Sequence, residues 1–81
     1  MTTVTVTAAD GWKEVETASC DIENKSESNV DFIASTVKPG ATELGFDLAP
    51  NVREKQYLNG SETLWVLNKN TLPVNIVTKR L

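Results

Sequence analysis

The chain has 81 residues, a formal net charge of −3 and 40% hydrophobic residues, which suits one small domain. Histidine is absent and cysteine occurs once, so a histidine-based metal site and an internal disulfide are both excluded. The acidic balance argues against nucleic acid and anionic membranes as partners, because both require a basic face. A domain of this size buries only about 60–65% of its unfolded surface, so self-association or a protein partner is an expected source of stability.

The composition also predicts where the protein is made. No apolar run approaches the roughly 20 residues of a membrane-spanning helix. Residues 1–10 lack the basic and apolar regions of a secretory signal. We therefore expect a soluble protein that is made in a cytoplasm, where one free thiol is ordinary.

Residues 3–7 alternate strictly between threonine and valine, which predicts a β-strand. Two interpretations of this segment stay open. Val4 and Val6 can face the core of the chain's own sheet. Alternatively, residues 1–10 form an arm that adds a strand to a neighbouring subunit. In that case Val4 and Val6 are interface residues. Residues 11–81 are predicted to form a single β-sandwich domain.

The middle of the chain continues the alternation of apolar and polar residues. Cys20 shares a predicted strand face with Ala18 and Ile22, between the polar residues at 19, 21 and 23, so we predict a buried thiol rather than a nucleophile. Residues 51–58 have a mixed pattern that is compatible with a strand or with a helical turn. Strands are predicted in residues 12–23, 30–35 and 44–48, with polar or turn-forming segments between them.

The last quarter of the chain predicts two further strands. Asn59-Gly60 is the strongest turn signal. Residues 62–68 and 73–78 alternate as strands, and the short polar turn between them predicts a terminal hairpin. About seven to eight short strands, with turn signals about every eight to twelve residues, predict an all-β fold, either a small antiparallel β-sandwich or a compact barrel.

The strand at residues 64–67 is apolar on both faces, with Leu64 and Val66 on one face and Trp65 and Leu67 on the other. One sheet of a two-layer sandwich buries only one of its faces. Either a loop or another subunit therefore covers the second face. Trp65 and Leu67 are the first candidates for a subunit interface, because aromatic residues are enriched in interface cores; Tyr57 is a further candidate.

The residues give little support for catalysis. Glu14 and Glu16 are predicted to share one strand face, as are Asp21 and Glu23. Such pairs occur in glycosidases and in calcium sites, but solvated strand faces have the same pattern. The sequence has no glycine-rich phosphate loop and no Gly-x-Ser-x-Gly motif. We predict a protein that is not an enzyme and that has no cofactor, metal or catalytic residue.

Five segments of the chain occur in a characteristic order. They are WKEV at 12–15, IENKS at 22–26, NVDF at 29–32, YLNGSETLWV at 57–66 and VNIVT at 74–78. This order resembles a family of small tailed-bacteriophage virion proteins that are built as a β-sandwich. Where the family usually has Pro-Gly, this chain has Asn59-Gly60 after Leu58, which still provides a turn.

The resemblance implies a non-enzymatic structural protein of a virion. It points to a capsid decoration or cement subunit that binds and stabilises the assembled head, or to a related part such as the base of a head fibre. The implied partners are further copies of the chain, as a homotrimer, together with the major capsid protein or another virion protein.

Two alternatives remain. The first is a recognition module of a tail or fibre that binds a cell-surface glycan or a host protein. It requires exposed aromatic residues in a groove, and Trp12, Tyr57 and Trp65 are the candidates. The second is an intracellular regulator that inhibits a host protein by pairing with a sheet edge.

Overall fold

Eight strands make up about half of the chain in a computed structural model that describes residues 1–81. They form two four-stranded antiparallel sheets. The structure contains no helix with the length and apolar character needed to cross a membrane. The strands are β1 (Thr2–Val6), β2 (Trp12–Glu16), β3 (Cys20–Asn24), β4 (Val30–Ser35), β5 (Phe46–Leu48), β6 (Arg53–Gln56), β7 (Thr63–Leu67) and β8 (Val74–Arg80), with a short 3₁₀ turn at Ala8–Asp10.

The two sheets pack their inner faces together as a β-sandwich. The first sheet has the strand order β1-β8-β3-β6, and the second has the order β2-β7-β4-β5. Alternate residues of both sheets meet in a core of 11 buried side chains, as a period of two requires. The all-β antiparallel fold predicted from the sequence is therefore confirmed. The largest fully buried apolar side chains are Ile22, Leu48, Leu64 and Ile76.

Strand pairing decides between the alternatives for two segments. β1 pairs with β8 of the same chain, Val6 is fully buried, and Val4 packs against the core. Residues 1–10 therefore belong to the sandwich and do not form a free arm. Arg53–Gln56 pairs with β3 as an edge strand, so the helical turn considered for residues 51–58 is wrong.

The predicted terminal hairpin is also wrong, because β7 and β8 lie in opposite sheets. The connection between them crosses from one sheet to the other. Asn68 is buried at this corner, where its Nδ2 donates to the carbonyl oxygens of Val6 and Leu72, each at 2.9 Å. The short polar link looks like a hairpin turn in the sequence. The buried amide instead supplies hydrogen bonds that allow the chain to arch over the core.

The same corner geometry occurs twice. Asn24 is buried at the end of β3, where the chain crosses to β4. Its Oδ1 accepts from the backbone N–H of Ser26, two residues on, and its Nδ2 donates to the carbonyl oxygen of Ser28, four residues on. Asn68 makes the equivalent bonds to Asn70 and Leu72. Buried asparagines therefore fix both of these crossings.

Candidate interaction surface

The outer face of the second sheet carries an apolar patch on its two central strands. Trp65 of β7 lies opposite Ile33 of β4, and paired residues of an antiparallel sheet share a face. Leu67 lies on the same face, two residues further along β7. We call Ile33, Trp65 and Leu67 the outer patch; all three side chains are half-buried. Leu64 and Val66 are buried in the core, so Trp65 and Leu67 lie on the opposite face from them, as the alternation predicts.

A loop covers part of this face, as one of the two predicted alternatives requires. Trp12 of β2 lies opposite Leu67 and is only 2% exposed, yet it does not belong to the core cluster between the sheets. Its Nε1 donates to the carbonyl oxygen of Gly40 at 3.1 Å. Gly40 lies in the β4–β5 loop (residues 36–45), so this loop covers Trp12 from outside the sandwich.

The return of the loop to the sheet depends on a glycine. A Cβ atom on Gly45 would lie 2.8 Å from the Phe32 carbonyl oxygen and 2.8 Å from the Trp12 ring. These distances are too short for any side chain. The loop also carries two largely exposed apolar residues, Val37 and Leu44, and therefore adds apolar surface while it covers Trp12.

The remaining predicted interface residues lie elsewhere. Tyr57 is 74% exposed but follows β6, an edge strand of the first sheet. Val4 and Val6 contribute to the chain's own core, so we withdraw them as interface residues. Of the three aromatic residues considered for glycan binding, Trp12 is buried under the loop. Tyr57 follows an edge strand of the first sheet, whereas Trp65 lies in the second sheet. The structure does not bring them into one groove.

The outer face of the first sheet is charged. Asp21 and Glu23 share this face, as predicted. Glu23 contacts Lys25 at 2.6 Å and Arg53 at 3.1 Å, and these hydrogen bonds lower the pKa of its carboxyl. Such ion pairs are typical of a solvated strand face. The two outer faces of the sandwich therefore differ, one being charged and the other partly apolar.

The predicted pairing of Glu14 with Glu16 on one face is wrong. A bulge between them shifts the register of β2, so Glu14 lies opposite Trp65 and Glu16 lies opposite the buried Leu64. Glu14 is exposed, whereas Glu16 is only 8% exposed. Nowhere in the chain do three or more acidic or cysteine side chains converge as metal ligands.

Glu16 acts as a structural acceptor at one end of the sandwich. Its Oε1 accepts from the backbone N–H of Thr17 at 2.9 Å and from Arg80 Nε at 3.0 Å, and its Oε2 accepts from Thr78 Oγ1 at 3.3 Å. Burial alone would raise the pKa of this carboxyl. The hydrogen bonds from Thr17, Arg80 and Ala18 together outweigh burial, so the pKa lies below its ordinary value. Glu16 is therefore held ionised.

The ionisation of Glu16 predicts acid sensitivity. Because its pKa is lowered in the folded state, its stabilising contribution is complete above the ordinary value of 4.5 and is lost as the pH falls through the folded-state value. Glu16→Gln should lower the free energy of unfolding by about 2 kcal/mol at neutral pH. The difference from wild type should shrink below about pH 5. Urea unfolding at a series of pH values from neutral to acidic measures the stability difference between the two proteins. Glu14→Gln is the control, because Glu14 is exposed. A stability difference between wild type and Glu16→Gln that stays constant with pH would contradict the prediction.

Cys20 is fully buried in β3, so the prediction of a buried thiol is confirmed. Burial, reinforced by the nearby carboxylates of Glu16 and Asp21, raises the pKa of Cys20 to about 11. The thiol therefore stays protonated at neutral pH, and a protonated thiol is a poor nucleophile.

Comparison with protein families, with curated proteins and with solved structures gave no significant match. The surfaces described above are therefore the starting point for any statement about function.

Proposed function

We propose that this protein is a non-enzymatic structural subunit that associates with copies of itself and binds the surface of a larger protein assembly. The outer patch of Ile33, Trp65 and Leu67 is the observation that carries the proposal. It is apolar, it lies on the central strands of a sheet, and its side chains are only half-buried. Partly exposed apolar surface on a sheet face is typical of protein–protein contacts.

The proposed assembly is a virion, and the proposed role is that of a capsid decoration or cement subunit. This step follows from the resemblance in motif order described above, and the structure is compatible with it. A decoration subunit needs a rigid domain and a contact surface, but it needs no catalytic site. An eight-stranded sandwich with one charged and one partly apolar outer face meets these needs.

Light scattering across a range of protein concentrations tests self-association. We expect a trimer for the wild-type protein. We expect a monomer with unchanged far-ultraviolet circular dichroism for Leu67→Lys, because a buried unpaired charge at an interface is strongly unfavourable. Leu72→Ser is the matched control, since Leu72 is 73% exposed in the β7–β8 connection and lies outside the outer patch. A wild-type monomer at the highest concentration would contradict the proposal, as would a Leu67→Lys trimer.

The virion role needs a separate measurement. Purified protein should cosediment with assembled phage heads in a density gradient, and Leu67→Lys should bind them more weakly than wild type. Sedimentation of the wild-type protein apart from the heads would contradict a decoration role, even if the protein is a trimer.

A further inference from the structure

One side of the sandwich is open between β5 and β6. Phe46 of β5 lies opposite the core residue Phe32, so its side chain is on the inner face of the second sheet. Phe46 is nevertheless 71% exposed, and its ring centre lies 6.1 Å from that of Phe32. An aromatic residue on an inner face is normally buried. Here the neighbouring strand does not cover it.

The strand across the opening supplies polar residues where a closed core needs apolar ones. Glu54 lies opposite the fully buried Ile22, and Gln56 lies opposite the fully buried Cys20. The side chains of Glu54 and Gln56 are therefore on the inner face of the first sheet. We call the resulting cleft the side groove; it has a volume of about 430 Å³, within the range of ligand-binding clefts. It is lined by Phe32, Phe46, Asp47, Glu54 and Gln56.

The edges of the side groove are free to pair with another chain. β5 has one hydrogen-bonded neighbour, β4, and β6 has one, β3. The second side of each strand is therefore open to backbone hydrogen bonds, and an open strand edge is a template for an extended segment.

The charge of the groove restricts the segment that it can take. Asp47 and Glu54 both line it, and neither is in an ion pair, whereas Glu16, Glu23 and Asp31 are all paired. The cations next along β6 do not neutralise the groove. Arg53 is paired with Glu23, and Lys55 lies opposite Asp21 on the outer face. The groove therefore combines an aromatic floor with two unpaired carboxylates. Glu54 is on the inner face, and Asp47 is at the rim, on the outer face of β5 opposite Asp31.

We propose that the side groove binds an extended segment of a partner protein in which apolar and basic side chains alternate. An extended segment directs alternate side chains to opposite sides. Its apolar residues would pack on Phe46 and Phe32, and its lysines or arginines would pair with Asp47 and Glu54. Its backbone would add to the free edge of β5 or β6. This site is separate from the outer patch and does not depend on the proposed virion role.

Fluorescence anisotropy with labelled decapeptides tests the proposal. The probe is a peptide in which valine and lysine alternate, and its counterpart replaces every lysine with glutamate. We expect the dissociation constant of the lysine peptide to be lower by about tenfold or more. Phe46→Ser should weaken its binding by about tenfold because it removes the apolar contact. The double change Asp47→Lys and Glu54→Lys should reverse the preference between the two peptides.

Two control variants separate this site from other surfaces. Glu14→Lys makes the same type of charge change at the opposite edge of the second sheet and should leave binding unchanged. Leu67→Lys should also bind the lysine peptide like wild type, whatever its oligomeric state. Equal binding of both peptides would overturn the proposal, as would wild-type affinity in Phe46→Ser or an effect of Glu14→Lys as large as that of the double change.

Discussion

Trp12→Ala is expected to lower the free energy of unfolding by about 3–5 kcal/mol, the usual range for truncation of a buried tryptophan. Trp12 is 2% exposed and lies on the outside of the second sheet, beneath the β4–β5 loop. Its removal leaves a cavity that the loop fills only partly. It also leaves the Gly40 carbonyl oxygen without its indole donor. The effect exceeds that of most substitutions, although Trp12 is not part of the core between the sheets.

Two measurements check this prediction. Urea unfolding gives the change in stability. Cleavage by a glutamate-specific protease after Glu43 reports the loosening of the loop and should be faster in Trp12→Ala, because a loop that has lost its buried contact opens more readily. Val37→Ala is the control, since Val37 is 69% exposed in the same loop and should change stability by less than about 0.5 kcal/mol. A loss below about 1 kcal/mol for Trp12→Ala would mean that the loop does not rest on the indole.

Adding a side-chain atom at Gly45 tests the same contact between the β4–β5 loop and Trp12, because it crowds the contact where Trp12→Ala empties it. Gly45→Ala places a methyl group where only 2.8 Å separates it from the Phe32 carbonyl oxygen and from the Trp12 ring. We expect a loss of about 1–3 kcal/mol from overpacking. Gly60→Ala is the matched control, because a Cβ atom there meets nothing within 4 Å. Equal stability of the two variants would show that the loop adjusts without strain.

The sequence predicts the strands well because each strand faces one shared core. A period of two places Leu64 and Val66 on one face and Trp65 and Leu67 on the other, whatever the partner strand is. Because both faces of this strand are apolar, only the structure shows that Leu64 and Val66 are on the inner face. The position of the loop over Trp12 cannot be predicted in this way, since residues 36–45 have no regular period. Glycine is needed at position 45 because Trp12 and Phe32, which are distant in sequence, leave no room for a side chain.

Connectivity was harder to predict than the strands. A short polar link between two alternating runs fits a hairpin as well as an arch between sheets, and β7 and β8 adopt the arch. The bulge in β2 likewise leaves no mark in the alternation, yet it sends Glu14 and Glu16 to opposite faces. The side groove has no sequence signal for a similar reason. Glu54 looks like an ordinary solvated residue until its pairing with Ile22 shows that it is on an inner face.

Asn24→Ala is the second change with a large expected effect, a loss of about 3 kcal/mol in the free energy of unfolding, since each buried polar group left unpaired costs about 1–3 kcal/mol. Asn24 is fully buried. Its Nδ2 donates to the carbonyl oxygens of Ser28 at 2.7 Å and Leu48 at 3.0 Å, and its Oδ1 accepts from the backbone N–H and the hydroxyl of Ser26. The methyl side chain of alanine makes none of these bonds.

The bond from Asn24 to Leu48 connects this prediction to the side groove. β5 has only three residues and pairs only with β4, so the amide of Asn24 is an additional anchor for the strand that carries Phe46. Asn24→Ala should therefore speed amide hydrogen exchange in β5 more than in β7, and it should weaken binding of the lysine peptide. Asn29→Ala is the control, because Asn29 is exposed and only its backbone carbonyl oxygen accepts a hydrogen bond. Uniform exchange across all strands would mean that Asn24 stabilises the whole sandwich and does not anchor β5 in particular.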